Sequence, residues 1–159
     1  MGKRRALVPS LRFESVQGAD VSLRDLTSGW LVVYCYPGAP KHDARGSHLE
    51  DIRGHEAFAR RARELQHRAV RVAALSSQPI DEQIETMLTL GLEHYLLRDP
   101  DLALARSLAL TTTTIAGRNY YTRQTLLICQ GAIEHVFSPV SDAGRSPIQV
   151  ETWMLAHGW

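Results

Sequence analysis

Apolar and polar residues alternate along Ser10-Leu-Arg-Phe-Glu-Ser-Val16 and again along Ala19-Asp-Val-Ser-Leu-Arg-Asp-Leu26. With Gln17-Gly18 between them, the two runs predict a β-hairpin. Leu31 to Tyr36 is instead continuously apolar, β-branched and aromatic, and Pro37-Gly-Ala-Pro40 ends it. That pattern predicts a central strand covered on both faces. A polar loop, Lys41 to Gly46, leads to Ser47 with Glu50 three residues later, the capping-box spacing for a helix running to about Gln66. Ala69 to Leu75 reads as a second buried strand, and Ser76-Ser-Gln-Pro79 turns the chain into a helix from about Asp81 to Leu90. Tyr95-Leu-Leu97 is a short strand, and Asp99-Pro100 opens a helix over about Asp101 to Leu108. Thr111-Thr-Thr-Thr114, with Arg118, Tyr120 and Tyr121, favours an edge hairpin by β propensity. Thr122 to Cys129 and Ala132 to Phe137 flank Gln130-Gly131 as a further hairpin, and a helix from about Pro147 to His157 closes the chain.

The resulting order, a hairpin followed by β-α-β-α-β-α-β-β-α, implies parallel strands joined by right-handed crossovers and then an antiparallel pair. This is an α/β, thioredoxin-like arrangement, a central mixed sheet flanked by helices with an N-terminal β-hairpin. It is expected to be one domain over residues 1–159. At 159 residues, such a domain buries roughly 70% of its unfolded surface, enough for a core without metal or disulfide staples.

Charge and cysteine content narrow the function classes. Eighteen basic residues against 17 acidic ones give no basic excess for nucleic acid to exploit. The longest apolar run, Trp30 to Tyr36, is far short of the roughly 20 residues of a membrane span. The N-terminus lacks the apolar stretch of a signal peptide, so a cytoplasmic protein is expected. Its two cysteines, Cys35 and Cys129, have no metal-ligand spacing and read as packed free thiols. If Cys35 lies beside Gln124 in the sheet, Cys129 lies beside Trp30, too far away for a disulfide.

Several segments, in this order and spacing, resemble the peroxiredoxins of the alkyl hydroperoxide reductase and thiol-specific antioxidant superfamily, specifically the bacterioferritin-comigratory branch. Leu31-Val-Val-Tyr-Cys-Tyr-Pro37 resembles the strand leading to the peroxidatic loop, and Val70 to Gln78 resembles the second strand and its turn. Tyr95 to Arg106 resembles the next strand and helix, and Arg123-Gln-Thr-Leu-Leu-Ile with Gly131 to Phe137 resembles the hairpin carrying the active-site arginine. The likeness covers nearly all the chain after about residue 10.

The chain departs from that pattern at the nucleophile. Counting Pro-x-x-x-Thr-x-x-Cys from Pro37 puts Lys41 at the threonine and Ala44 at the cysteine. Other registers give Ser47 or, counting back from Phe58, Asp51, and no register gives cysteine. A peroxidatic thiolate works because a helix N-terminus and an arginine lower its pKa. A serine hydroxyl at that place has a far higher pKa and no recyclable oxidised form.

The resemblance implies that Arg123 points into the old peroxide pocket, where a guanidinium without a thiolate would hold a carboxylate or enolate. It also places Tyr36 at the pocket edge, where a phenol can act as general acid. His42, Ser47, His48 and Asp51 gather titratable and polar groups at the loop and helix start. His48, Asp51 and His55 share a helix face, a spacing open to acid/base work with His42 or His48 as the expected base, whereas a metal is not expected. Pro37 and Tyr121, together with Arg123, are the candidate substrate contacts. The leading expectation is a redox-cofactor-free acid/base enzyme, a cyclase, isomerase or lyase, acting on a small oxyanion-bearing molecule. A setting in bacterial specialised metabolism is expected, as is a monomer or homodimer. An atypical thiol peroxidase using Cys35 and a non-catalytic binding subunit are the alternatives.

Overall fold

The structure, a computed structural model, describes residues 5–27, 29–40 and 46–158. Its centre is β3 (Trp30–Cys35), which pairs along its whole length with β4 (Val70–Ser76) in parallel and with β8 (Gln124–Cys129) antiparallel. β5 (Tyr95–Arg98) lies parallel outside β4, and β9 (Ala132–Phe137) lies antiparallel outside β8. The N-terminal β1 (Arg12–Ser15) and β2 (Val21–Ser22) extend the sheet beyond β5, giving the order β2-β1-β5-β4-β3-β8-β9. A separate two-stranded sheet of β6 (Thr112–Ile115) and β7 (Arg118–Tyr121) is the hairpin expected there.

Alternation along β3 divides the core in two. Leu31, Val33 and Cys35 face one side with Tyr121, Leu126, Leu97 and the helices α1 (Leu23–Leu26) and α4 (Ala103–Leu108). Val32 and Tyr34, with Tyr36 beyond the strand end, face the other. There they pack on α2 (Ser47–His67), α3 (Ile80–Leu90) and α5 (Ser146–Ala156). The register pairs Cys35 with Gln124 and Trp30 with Cys129, and both thiols are free. Among the described residues no helix is long and apolar enough to cross a membrane.

Three local expectations need correction. The second half of the N-terminal hairpin is strand only at Val21–Ser22. Leu26 breaks the period-two pattern, and Leu23 and Leu26 bury together from one helical turn whose start is capped by the Ser22 hydroxyl accepting from Arg24 N. Ser47 and Glu50 do not form a capping box, because the cap of α2 is Gly46 in the left-handed conformation. The Glu50 carboxylate reaches outward instead, accepting from Ala143 N at 2.7 Å in the turn before α5. Finally, α4 starts at Ala103 rather than Asp101. Asp99 still caps it, but from four and five residues back, accepting from Ala103 N and Leu104 N at 2.9 and 3.0 Å.

Gly54 does not interrupt α2, which runs unbroken through it. A Cβ there would lie 3.2 Å from Ala143 Cβ, so the residue allows the turn before α5 to approach the helix closely.

Tyr121 is buried against α4, where its hydroxyl donates to Asp99 Oδ2 at 2.6 Å and accepts from Ala105 N at 3.1 Å. Replacing Tyr121 by Phe should therefore cost about 1–3 kcal/mol in urea unfolding, because Asp99 and Ala105 N each lose a buried partner. A cost near zero would contradict this assignment.

Candidate active site

The site forms where β3 runs out. Tyr36 N donates to Leu75 O at 3.1 Å, which keeps the chain beside β4 for one more residue, and Pro37 O accepts from the Ser76 hydroxyl. Gly38 then turns with φ +63°, and a Cβ at this position would sit 2.7 Å from both Gln78 Cβ and Ser76 Oγ. Only glycine fits, and the turn points Gly38 N–H at Asp51 Oδ2, 3.2 Å away.

Asp51 lies at the end of the first turn of α2 and is 5% exposed. Arg123, the residue before β8, is held by its own carbonyl accepting from Val140 N at 2.9 Å. Its guanidinium places Nη1 2.7 Å from Asp51 Oδ1, while Nη2 reaches Ser47 O at 3.5 Å. The ion pair is close, although its angles leave Asp51 Oδ1 short of a fully formed hydrogen bond. Burial pushes the Asp51 carboxyl up to about 6, even though Arg123, the Gly38 N–H and His48 all act to lower it. Around the pair, Tyr34, Tyr36, Gly54 and Thr125 leave a cavity of about 10 Å³, roughly the space of one water.

Of the candidate residues, Arg123, Asp51 and the Ser47 backbone come together, and Pro37 contributes the turn that carries Gly38. Tyr36 lies beside them, but its hydroxyl donates to Gln78 Oε1 at 3.0 Å, and burial raises its pKa well above that of an ordinary phenol. These facts argue against Tyr36 as the proton donor. His48 is half-buried and lines a separate pocket of about 100 Å³ with Ala39, Gln78 and Glu82. The helix face predicted for His48, Asp51 and His55 is therefore split, with Asp51 and His55 turned inward. Tyr121 does not join the site, since its hydroxyl belongs to Asp99 and α4 on the opposite face of the sheet. His42, like Lys41 and Ala44, lies outside the described residues. Among the described residues no three or more His, Cys, Asp or Glu gather as a metal site.

Cys35 borders the small cavity that Arg123 and Asp51 also line, but no contact joins its thiol to the guanidinium among the described residues. The Cys35 side chain packs in the opposite core, 1% exposed, and burial raises its pKa well above that of a free thiol. Cys129 sits at the far end of β8, also with a raised pKa from burial.

Sequence reading missed a polar group directly behind this cavity. Tyr34 Oη lies 2.7 Å from His55 Nδ1 and 2.6 Å from His94 Nε2, with all three residues buried. Alternation places Tyr34 beside Tyr36, and His55 follows Asp51 by one turn. His94 offered no such signal, because it stands alone in a loop far along the chain.

The comparisons agree with this architecture. The AhpC/TSA family model matches residues 5–136. The structure of peroxidoxin BcpB from Mycobacterium tuberculosis superposes with a TM-score of 0.80 at 17% identity, over 96% of each chain. The bacterioferritin comigratory protein of Xanthomonas campestris gives 0.78 at 20% identity, covering 97% of this chain and 99% of its own. A mutant of Xylella fastidiosa PrxQ gives 0.79 at 17%, covering 99% and 100%. No curated protein matches the sequence significantly. The fold is thus a mixed α/β, thioredoxin-like fold of peroxiredoxin type. The chain belongs to the AhpC/TSA family.

The buried groups set an acid response. Burial lowers His55 to about 3 and His94 to about 4, so the folded protein keeps both neutral where the unfolded chain, with histidine near 6.5, protonates. Their contribution is full above pH about 6.5 and is lost as pH falls toward 4. Asp51 acts oppositely, because its raised pKa makes the folded state take up a proton first between about 6 and 4. Two histidines outweigh one carboxyl, and the net effect is destabilisation on acidification. Between pH 6 and 4.5, a His94→Gln variant should show a slope of unfolding free energy against pH shallower by about one proton, roughly 1.4 kcal/mol per pH unit. Parallel slopes for the two proteins would contradict the buried neutral imidazole.

Proposed function

We propose that the chain is an acid/base enzyme on a peroxiredoxin scaffold, acting without a redox cofactor on a small organic molecule that carries an oxyanion. The observation behind this reading is the pairing of Arg123 with a buried Asp51 whose carboxyl titrates near 6. A carboxyl in that range exchanges protons readily at neutral pH, which is the property a general acid or base needs. Arg123 binds the substrate carboxylate or developing enolate. Gly38 N–H steadies Asp51 Oδ2 and fixes the direction of its other oxygen.

The small cavity and the buried ion pair fit one sequence of events. A substrate oxyanion takes the guanidinium from Asp51. Arg123 is what holds the Asp51 carboxyl down, so losing it raises the basicity of Asp51 at the moment substrate arrives. Asp51 then removes a proton next to the stabilised anion and returns it elsewhere on the carbon skeleton or to a departing group. Isomerisation, cyclisation and elimination all share that step. Recruitment into bacterial specialised metabolism is consistent with such chemistry.

The rival reading, a thiol peroxidase using Cys35, has the buried thiol against it. The Xanthomonas relative is described with alkyl peroxide reduction activity. Here the arginine faces a carboxylate, and the nearest cysteine packs in the other core. A binding subunit without catalysis would need no titrating carboxyl at the arginine.

Deuterium incorporation from D₂O into a panel of small enolisable carboxylates, followed by NMR, tests the proposal. The wild type should exchange at least one of them, and Asp51→Asn and Arg123→Ala should each lose about 100-fold or more. An Asp51→Asn variant as active as wild type would sink the reading. The same preparations should consume no hydrogen peroxide or alkyl hydroperoxide with a thiol reductant. Peroxide turnover abolished by Cys35→Ser would establish the rival.

A further inference from the structure

The cavity beside Asp51 and Arg123, about 10 Å³, has room for one water-sized group. On the acid/base reading of Asp51, the body of an organic substrate therefore lies outside it. A depression of about 550 Å³ runs between the second half of α2 and the starts of β4 and β5, away from the first turn of α2 that carries Asp51. A larger groove, of about 670 Å³, lies at the other ends of those strands and includes Gly38, whose N–H donates to Asp51 Oδ2. Its volume is in the range of small-molecule sites. A neighbouring hollow of about 260 Å³ shares Leu102, Arg106 and Asn119 with it and extends it along α4.

Three guanidiniums line the groove, each from a different element: Arg98 at the end of β5, Arg106 in α4 and Arg118 at the start of β7. Among the described residues none is spent on a close ion pair. Arg98 reaches Glu14 only at 3.7 Å, and its Nε is buried without a partner. Arg106 donates to a backbone carbonyl, Asp101 O. The Arg118 side chain has no partner among the described residues. Neutral donors stand beside them. The Gln78 amide is engaged through its oxygen, which accepts from Tyr36, and the Tyr120 hydroxyl has no partner among the described residues. Carboxylates face the groove as well, Asp81 and Glu82 from the first turn of α3 and Asp101 from the segment before α4.

We infer that this groove binds a phosphorylated, hydroxyl-bearing molecule, a sugar phosphate or a nucleotide, as the body of a substrate whose reacting end reaches past the Gly38 turn to Asp51. The role as substrate rests on the acid/base reading, and the binding rests on the groove alone. The planar fork of arginine matches phosphate oxygens two at a time. One such fork satisfies a carboxylate. The oxygens of a tetrahedral phosphate point toward several walls, which is what guanidiniums on three elements serve. The carboxylates complement hydroxyl groups, each of which has a proton to donate. They repel a ligand that is anionic along its length, so its charge is confined to the phosphate and to the end held by Arg123.

Binding tests this without turnover. Ribose-5-phosphate and AMP are titrated into ¹⁵N-labelled protein, with ribose, adenosine and inorganic phosphate as controls, and amide shifts are followed. At least one of the two phosphorylated compounds should bind with a Kd below about 1 mM, at least about tenfold tighter than inorganic phosphate or its own unphosphorylated form. The shifted amides should include Gln78, Asp101 and Asn119. Which compound binds more tightly separates a sugar phosphate from a nucleotide. Arg118→Ala and Arg106→Ala, at exposed positions, should each weaken binding at least about tenfold, the loss of one charge-assisted partner. Arg71→Ala, in the depression at the far end of β4, should leave it unchanged. Absence of binding, affinity no better than that of inorganic phosphate, shifts confined to the far depression, or wild-type binding by both arginine variants overturns the proposal. The two readings fail separately. Arginine-dependent binding of a compound that shows no deuterium exchange counts against the acid/base reading alone, and exchange of a carboxylate that Arg118→Ala leaves untouched counts against the groove alone.

Discussion

Pairing of β3 on both edges is the constraint from which the rest of the molecule follows. The parallel ladder to β4 and the antiparallel ladder to β8 leave β3 no rotational freedom, so its alternation assigns every side chain to one core or the other. Tyr34 and Tyr36 are sent toward α2, and Cys35 is sent away from it. The same two ladders deliver the ends of β3 and the start of β8 to one place. That is where the Gly38 turn meets Arg123 across the first turn of α2. A slip of one residue in either ladder would put Cys35 on the α2 face and the tyrosines among the leucines.

The elements legible in the sequence were those set by hydrophobic pattern. The runs Leu31–Tyr36 and Thr122–Cys129 read as strands because continuous apolar segments bounded by turns have few other readings, and the register assumed for them is the one observed. Helix starts were harder. Ser47 and Glu50 have capping-box spacing, but Glu50 finds a better donor in Ala143 N, a partner 93 residues away that local rules do not see. Leu26 looked like part of a strand until the burial of Leu23 gave it a helical neighbour.

At the site, the resemblance carried Arg123 to its place, while residue identity alone left Ala44, Ser47 and Asp51 open. In the structure Asp51 is in ionic reach of the guanidinium and Ser47 offers it only a carbonyl, while Ala44 lies outside the described residues. Tyr121 was misplaced for the same reason that it reads as a pocket residue. It immediately precedes the arginine segment, yet β7 belongs to a separate sheet and turns its ring toward α4. The Tyr34–His94 contact joins residues 60 positions apart and has no periodic signature at all.

The energetic character of the Asp51–Arg123 pair weighs on the side of function. Burying two opposite charges is a weak way to hold a fold together, since desolvation consumes most of the Coulomb attraction and an apolar pair of similar volume often does as well. The surroundings here, Tyr34, Phe58 and Val140 among them, would accept such a pair. A pair selected for stability would also be expected to align its donors. This one leaves Asp51 Oδ1 short of a fully formed hydrogen bond and keeps the carboxyl near 6 rather than far below its usual range. The pair sits beside the Gly38 turn and in front of the hydrogen-bonded Tyr34. Stability alone therefore gives this pair little reason to be buried where it is.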